Sequence, residues 1–276
     1  MVSGLVDREA VLKSSRSYYA NRAFYYDLLA QRKDRDPATN KELDFLERVF
    51  KNQATRSVRR VLDVACGGGR HVVGLARRGY ECVGQDLTPD RVAMARARAK
   101  RSGLSLPLSQ GDATRLPYTS EFDAVLALYI LFLLPSDDDV AKCLRQAHNS
   151  LRRGGLFVCN VFNPFSSGPR SLGRLIQRQR QVVKSRAPGI RMTEISQFQD
   201  IDPMHGWGWL SESIVIEAPD GPHAFRDRER LRFFTYSDII RMLEDAGFRE
   251  PACYPDWMIS PRRRPKAKWL VFTARK

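Results

Sequence analysis

The stretch VLDVACGGGR, from Val61 to Arg70, decides how this chain folds, together with QDLTPD from Gln85 to Asp90. The aliphatic run Val61, Leu62 and Val64, interrupted only by Asp63, has the apolar character of a buried parallel strand. It ends in three consecutive glycines, Gly67 to Gly69. Beyond them, His71 to Arg78 carries helix periodicity through Val72, Leu75 and Ala76. A second strand, Tyr80 to Gly84, then delivers Asp86 at its carboxyl end. Glycines where a strand turns into a helix let a ligand approach the backbone with no Cβ in the way. An acidic side chain about 20 residues further on suits the two hydroxyls of a ribose. The unit predicts a nucleoside-binding crevice at the head of a doubly wound α/β sheet.

The glycine spacing narrows the ligand. A dinucleotide fingerprint requires G-x-G-x-x-G, and Val72 stands where the third glycine belongs; no Lys follows Gly74 as a P-loop would require. What remains is D-x-A-x-G-x-G, opened by Asp63 and closed by Gly69, with Ala65 where a glycine is usual. This resembles the first motif of the class I S-adenosylmethionine-dependent methyltransferases. Further stretches resemble that family in the same order. SQGDA, Ser109 to Ala113, follows a short strand pattern at Leu104 to Leu108. FDAVLALYILFLL, Phe122 to Leu134, reads as a buried strand leaving the active-site edge near Leu128 and Tyr129. LRRGGLFV, Leu151 to Val158, resembles the turn into the fifth strand, with Arg153 in place of the usual proline. LEDAGF, Leu243 to Phe248, resembles the helix end before the sixth strand.

The resemblance implies a mostly parallel seven-stranded sheet and a cofactor, S-adenosylmethionine, released as S-adenosylhomocysteine. It implies that backbone at Ala65, Gly67 and Gly69 faces the methionine portion and ribose. Asp86 then binds the ribose hydroxyls, Leu87 packs beside the adenine, and Asp112 with Ala113 meets the adenine edge. Leu128 also belongs to the cofactor site. Asp63 either accepts from the ligand ammonium or braces the glycine turn. Tyr18, Tyr19, Tyr25 and Tyr26 are candidates to close over the sulfonium, which aromatic faces attract, with Tyr18 assigned to the cofactor site.

Candidates for chemistry are Tyr129 and a histidine. A general base needs a pKa near working pH and hydrogen-bond reach. His205, in the stretch Met204 to Trp207, leads; His71, directly after the glycine loop, is second; His148 and His223 trail. Methyl transfer can run on proximity alone, so a base is not required. Enzymes that methylate nucleic-acid amines carry [D/N/S]-P-P-[Y/F] at the end of strand four, where this chain has Ala127 to Ile130. The expected acceptor is therefore a small molecule methylated at N or O, amino sugars and natural-product scaffolds included. The competing readings are an RNA methyltransferase using its basic surface and a non-catalytic binding module that kept the fold. The intact set Asp63, Gly67, Gly69, Asp86 and Asp112 argues against the module.

A chain of 276 residues with net charge +15 is strongly basic. From Val140 to Thr193 no acidic residue occurs, while Lys142, Arg145, Arg170, Arg174, Arg178 and others carry positive charge; a second cluster spans 262–268. No aromatic residue falls between Arg170 and Arg191, so this run lacks the stacking platforms of single-strand binders. Weak, nonspecific nucleic-acid binding is the expectation. The five cysteines and four histidines lack ligand spacing, which predicts neither disulfide framework nor metal. No signal peptide and no membrane-length apolar run is apparent, so a cytoplasmic location is expected. The oligomeric state stays open.

Around the core, residues 1–55 predict a helical cap, with helices at Leu5 to Gln31 and Lys41 to Lys51. Residues 56–163 form the cofactor-binding half, and 235–276 complete the core, with Lys268 to Ala274 closing the sheet. Between them, 164–234 predicts an insertion placed as a lid. It would hold a basic helix from Ser171 to Val183 and antiparallel strands at Met192 to Gln199, Trp207 to Ala218 and Ala224 to Phe234. Trp207 and Trp209 share one strand face, and Trp207 or His205 is expected to line the cleft opposite Gly67 and Tyr129.

Overall fold

The computed structural model describes residues 7–30, 37–166, 179–184, 191–202, 204–259 and 267–276. Strands β1 (Arg60–Asp63), β2 (Glu81–Asp86), β3 (Leu108–Gln110), β4 (Phe122–Ala127) and β5 (Leu151–Phe162) run parallel to one another. With β10 (Arg249–Pro255) and β11 (Trp269–Arg275) they form a seven-stranded sheet of order β10-β11-β5-β4-β1-β2-β3, in which β11 alone is antiparallel to its neighbours. The strand expected to close the sheet thus lies inside it, and β10 forms the edge. β4 is buried along its whole length, which is why its sequence is unbroken apolar except for Asp123. That carboxylate is also buried, and it accepts from the N–H groups of Arg59 and Arg60 at 3.0 and 2.9 Å.

Helices α3 (Arg70–Ala76), α4 (Pro89–Arg101), α5 (Asp137–Ser150) and α6 (Tyr236–Asp245) flank the sheet. α5 starts at Ser136, whose hydroxyl accepts from the Asp139 N–H, and α6 starts with a full capping box between Thr235 and Asp238. These side chains satisfy orphan N–H groups that the first helical turn leaves open. Before the core come α1 (Arg8–Ala30) and α2 (Pro37–Gln53). The apolar face of α2, with Leu43, Leu46, Val49 and Phe50 buried, packs on α3 and the adjoining strands.

Several expectations need correction. The strand read at Leu104 to Leu108 begins only at Leu108, where pairing with β2 becomes available. The apolar run to Leu134 leaves the sheet after Ala127: Tyr129 has φ 60° and Leu131–Leu133 is a 3-10 turn. Of the helix expected over 171–183, residues 171–178 lie outside the described residues. Gln179–Lys184 is a strand, β6, because cross-strand pairing with Arg191–Ser196 overrides helical propensity there.

β6 is the edge of a second, antiparallel sheet of order β6-β7-β8-β9, whose other members are Arg191–Asp202, Trp207–Ala218 and Gly221–Arg232. Its strands have period-2 character: along β9, Arg226 and Arg228 are exposed while Glu229 and Leu231 are buried. The buried face meets α1. Tyr18 donates to Glu212 Oε2 at 2.8 Å, Ser15 to Glu229 Oε1 at 3.2 Å, and Ser14 to the Arg228 carbonyl. No described helix is long and apolar enough to cross a membrane.

Candidate active site

At the carboxyl edge of β1 the chain turns through Ala65 to Gly69. Val64 N–H is tied to the Leu126 carbonyl at 3.0 Å and Cys66 N–H to the Gln85 carbonyl at 2.8 Å. The turn is thereby held against both neighbouring strands. Gly67 and Gly69 have φ of 52° and 80°, in the left-handed region. At Gly69 a Cβ would also lie 2.9 Å from the Ala95 Cβ, so only glycine lets α3 start this close to α4.

Asp86, at the end of β2, faces this turn. Its Oδ2 accepts from Gly67 N–H at 2.8 Å and its Oδ1 from Thr88 N–H at 2.9 Å. Burial raises its pKa, and the N–H groups of Thr88 and Gly67 and the charge of Arg91 offset only part of this. A carboxylate offers about four lone-pair sites. Two are spent on the backbone and the Thr88 hydroxyl also bonds the carboxylate, which leaves part of its acceptor capacity open toward the cavity.

Asp63 lies beneath the turn, fully buried. Its Oδ1 accepts from Ala65 N–H at 3.3 Å, and its Oδ2 has no hydrogen-bond partner among the described residues. Burial pushes its pKa up to about 7; the charge of Asp86 adds to this, and the Ala65 N–H opposes it.

These groups open onto a cavity of about 590 Å³. Ala65, Gly67, Asp86, Leu87, Asp112, Ala113 and Leu128 all line it. Gly69 and Asp63 do not; they shape the turn from below. Asp112 Oδ1 accepts from both the N–H and the hydroxyl of Thr114 at 2.8 Å, and Oδ2 accepts from Arg8 Nη2 at 3.2 Å. Burial raises its pKa, but these hydrogen bonds and the Arg8 charge outweigh that and leave it below the ordinary carboxylate value.

At the opposite end stand Tyr129, Arg70 and His71. Behind them, on α2, Glu42 joins the three. Its Oε1 accepts from the Tyr129 hydroxyl at 2.6 Å, and its Oε2 meets His71 Nε2 at 2.6 Å and Arg70 Nη1. The Arg70 guanidinium lies 5.0 Å from the centre of the Tyr129 ring. Burial, with the Arg70 charge beside it, drives the His71 pKa down, so its Nε2–H donates to an ionised Glu42. Burial and the negative Glu42 push the Tyr129 phenol up. Neither His71 nor Tyr129 is thus poised as a base near neutral pH. Tyr129 is instead a fixed hydroxyl: its strained backbone is held by the Asn160 side chain, which accepts from Tyr129 N–H at 2.8 Å.

Two candidates fall elsewhere. His205 is exposed, its Nδ1 2.7 Å from Asp202 Oδ2 in the connection before β8, and it does not line the cavity. Trp207 does not line it either; its ring is covered by Arg230, 3.7 Å from the centroid. Among the described residues, none from 164–234 lines the cavity; β9 packs behind it, on α1 and on the 3-10 turn that do. Tyr18 also turns away, toward Glu212, and its neighbour Tyr19 lines the cavity with the Arg91 guanidinium 4.8 Å from its ring. A step of one residue rotates a helical side chain by about 100°, so Arg8, Leu12, Ser15 and Tyr19 share the inner face. The side chains of Tyr25 and Tyr26 lie outside the described set.

Arg8 and Glu42 were not singled out from the sequence. Glu42 carried a readable signal: it precedes Leu46 and Val49 by four and seven residues, placing a carboxylate on the buried face of α2. Arg8 carried none, because its partners Asp112 and Asp139 are more than a hundred residues away.

A seven-stranded sheet with one antiparallel strand and a glycine turn facing two carboxylates defines the class I methyltransferase fold. Residues 61–155 match the family described as a methyltransferase domain. The ubiquinone biosynthesis O-methyltransferase of Azorhizobium caulinodans is 35% identical over 126 residues, 44% of this chain and 48% of that protein. The chain spans about half the length of the curated relatives it matches. An S-adenosylmethionine-dependent methyltransferase from Clostridium acetobutylicum superposes with TM-score 0.71 at 18% identity, covering 94% of this chain and 98% of that one. A structure of an amino pentose methyltransferase from Micromonospora echinaspora with the cofactor bound gives TM-score 0.68 at 22% identity, covering 90% and 95%. Residues 61–155 thus match a methyltransferase domain, and the chain has the fold of S-adenosylmethionine-dependent methyltransferases.

Proposed function

We propose that the protein transfers a methyl group from S-adenosylmethionine to an N or O atom of a small-molecule acceptor in the cytoplasm. The carrying observation is the single cavity that joins the Asp86 and Asp112 carboxylates to the Tyr129 end, with α1 as one wall. Its volume falls in the range of small-molecule sites, roughly 300–1,000 Å³, and a wall across the cleft suits a metabolite better than a polymer.

The residues present fit the cofactor. Asp86 keeps acceptor capacity toward the cavity for the ribose hydroxyls, and Asp112 with Ala113 lines the cavity as the adenine edge would need. The unpartnered Asp63 oxygen, beneath the turn rather than on the cavity wall, is an acceptor for the ammonium through water. When bound, the cofactor supplies an activated methyl group for in-line displacement. The chain's part is to hold the acceptor in line and keep water out, which proximity turns into rate. Leu12, Leu128, Ile130 and Phe132 provide apolar wall, while the Tyr129 oxygen, its proton committed to Glu42 and one lone pair taken by Arg70, keeps one lone pair for an acceptor N–H or O–H. The amino-sugar enzyme among the structural neighbours favours an amine, whose free base needs no proton removed before attack.

The five cysteines are free and buried or partly buried, in keeping with a reducing compartment. Residues 1–55 serve as a cap, and 164–234 as an insertion that backs it. The proposal is tested by titrating S-adenosylhomocysteine into wild type and Asp86→Ala. Binding by the wild type and a loss of about 1.5–3 kcal/mol per lost contact in the variant are expected; absence of binding, or equal affinities, would refute it.

A further inference from the structure

Arg8 is the one cation by which α1 reaches the core at the adenine end of the cavity among the described residues. Its Nε donates to Asp139 Oδ1 at 2.7 Å, and its Nη2 to Asp112 Oδ2 at 3.2 Å and Thr114 Oγ1 at 3.4 Å. Asp139 is almost wholly buried, and its other oxygen accepts from the Ser136 hydroxyl at 2.7 Å. Arg8 is therefore braced on the core side before any ligand arrives. Asp112, in turn, is held on both oxygens: Oδ1 by two donors from Thr114 and Oδ2 by Arg8. Of its roughly four acceptor positions, three are occupied and one remains, directed by the same bonds that fix the carboxylate plane. One free acceptor position matches one N–H of an exocyclic amino group. Four donors would leave none, and without Arg8 the second oxygen would be free to turn or to take water.

We propose that Arg8 is a positioning residue for the cofactor base. By fixing Asp112 it makes the site read the 6-amino group of adenine, and it ties α1 across that end of the cavity. The inference rests on the S-adenosylmethionine reading. The antiparallel sheet takes part at one remove, since Glu212 accepts from Tyr18 on the outer side of the helix and Glu229 accepts from Ser15 and Tyr19, which line the cavity. The sheet holds α1, and α1 delivers Arg8.

The test compares two probes by calorimetry: S-adenosylhomocysteine, and S-inosylhomocysteine, in which a 6-oxo acceptor replaces the amino donor. The wild type is expected to prefer the adenosyl compound by tens-fold or more, because an oxo group facing a carboxylate leaves both unsatisfied. In Arg8→Ala the adenosyl affinity falls by about tenfold and the preference shrinks by a similar factor. Arg8→Lys, which keeps charge without the two-pronged geometry, recovers only part of the preference. Should both probes weaken equally, with the ratio intact, Arg8 merely stabilises the cap and the proposal is wrong. Unchanged affinities in both variants also overturn it, as does a wild type that binds both probes alike. If Arg8→Ala does not fold, the ratio in Arg8→Lys decides. A wild type that binds neither probe removes the cofactor reading itself.

Discussion

Replacing Asp63 with asparagine keeps the shape of a buried side chain and removes its titration. Burial beneath the glycine turn lifts this carboxyl from 3.8 to about 7 in the folded protein. Between those values the unfolded chain is ionised while the folded chain keeps its proton. The folded state then binds more protons, so this group's contribution to stability is complete below pH 3.8. It is lost progressively as pH rises through 7. A shift of about three units at about 1.4 kcal/mol each amounts to about 4 kcal/mol across that window. An amide does not titrate, and its unsatisfied N–H adds only a constant cost of about 1–3 kcal/mol. The stability of Asp63→Asn relative to wild type should therefore climb by about 4 kcal/mol between pH 4 and pH 8, whatever its starting offset. Urea unfolding of both proteins at several pH values across this range measures the difference, and the groups that do not couple to Asp63 cancel. Two stability curves that run parallel from pH 4 to pH 8 would show that Asp63 is not held at a raised pKa, and the account of the turn would fail.

Glu42→Leu strands the Arg70 charge, the buried His71 donor and the half-buried Tyr129 hydroxyl, and should cost about 3–5 kcal/mol in denaturant unfolding, whereas Glu42→Gln, still an acceptor, costs less. Equal losses in the two would show that Glu42 contributes volume rather than charge. Gly67→Ala meets no atom closer than 3.7 Å and bears only the left-handed backbone cost, about 1–2 kcal/mol. Gly69→Ala carries that cost plus a contact at 2.9 Å with Ala95, so its melting temperature should fall further; the reverse order would contradict the packing described for α3 and α4.

The core was legible in the sequence because its signals are local. A parallel strand buried on both faces must be unbroken apolar, a glycine at φ 80° against Ala95 tolerates no substitute, and Asp86 follows by one crossover. Those constraints act within about 30 residues, so the strand–turn–helix–strand unit and the cavity side of Gly67 and Asp86 could be read in order, while Asp112 followed only from the family resemblance. The antiparallel hairpins after Arg191 were equally local.

Other features depend on which distant surfaces meet. α1 carries polar and aromatic side chains all round, so periodicity could not choose between Tyr18 and Tyr19; the sheet pressing on one side and the cavity on the other made that choice. His205 looked available because a histidine near a strand start is free to point anywhere, and only the folded chain shows it exposed beside Asp202 and off the cavity wall. Val182 and Val183 could extend a helix or a strand until Thr193 and Met192 paired with them. Composition and spacing determined the class of fold and the cofactor crevice, where one short segment supplies both the turn and its ligand-facing atoms. Tertiary structure alone decided the cap: Arg8 with Asp112 and Asp139, and Glu42 with Arg70, His71 and Tyr129. These are contacts between side chains whose positions are set by packing across the whole sheet rather than by their neighbours in the chain.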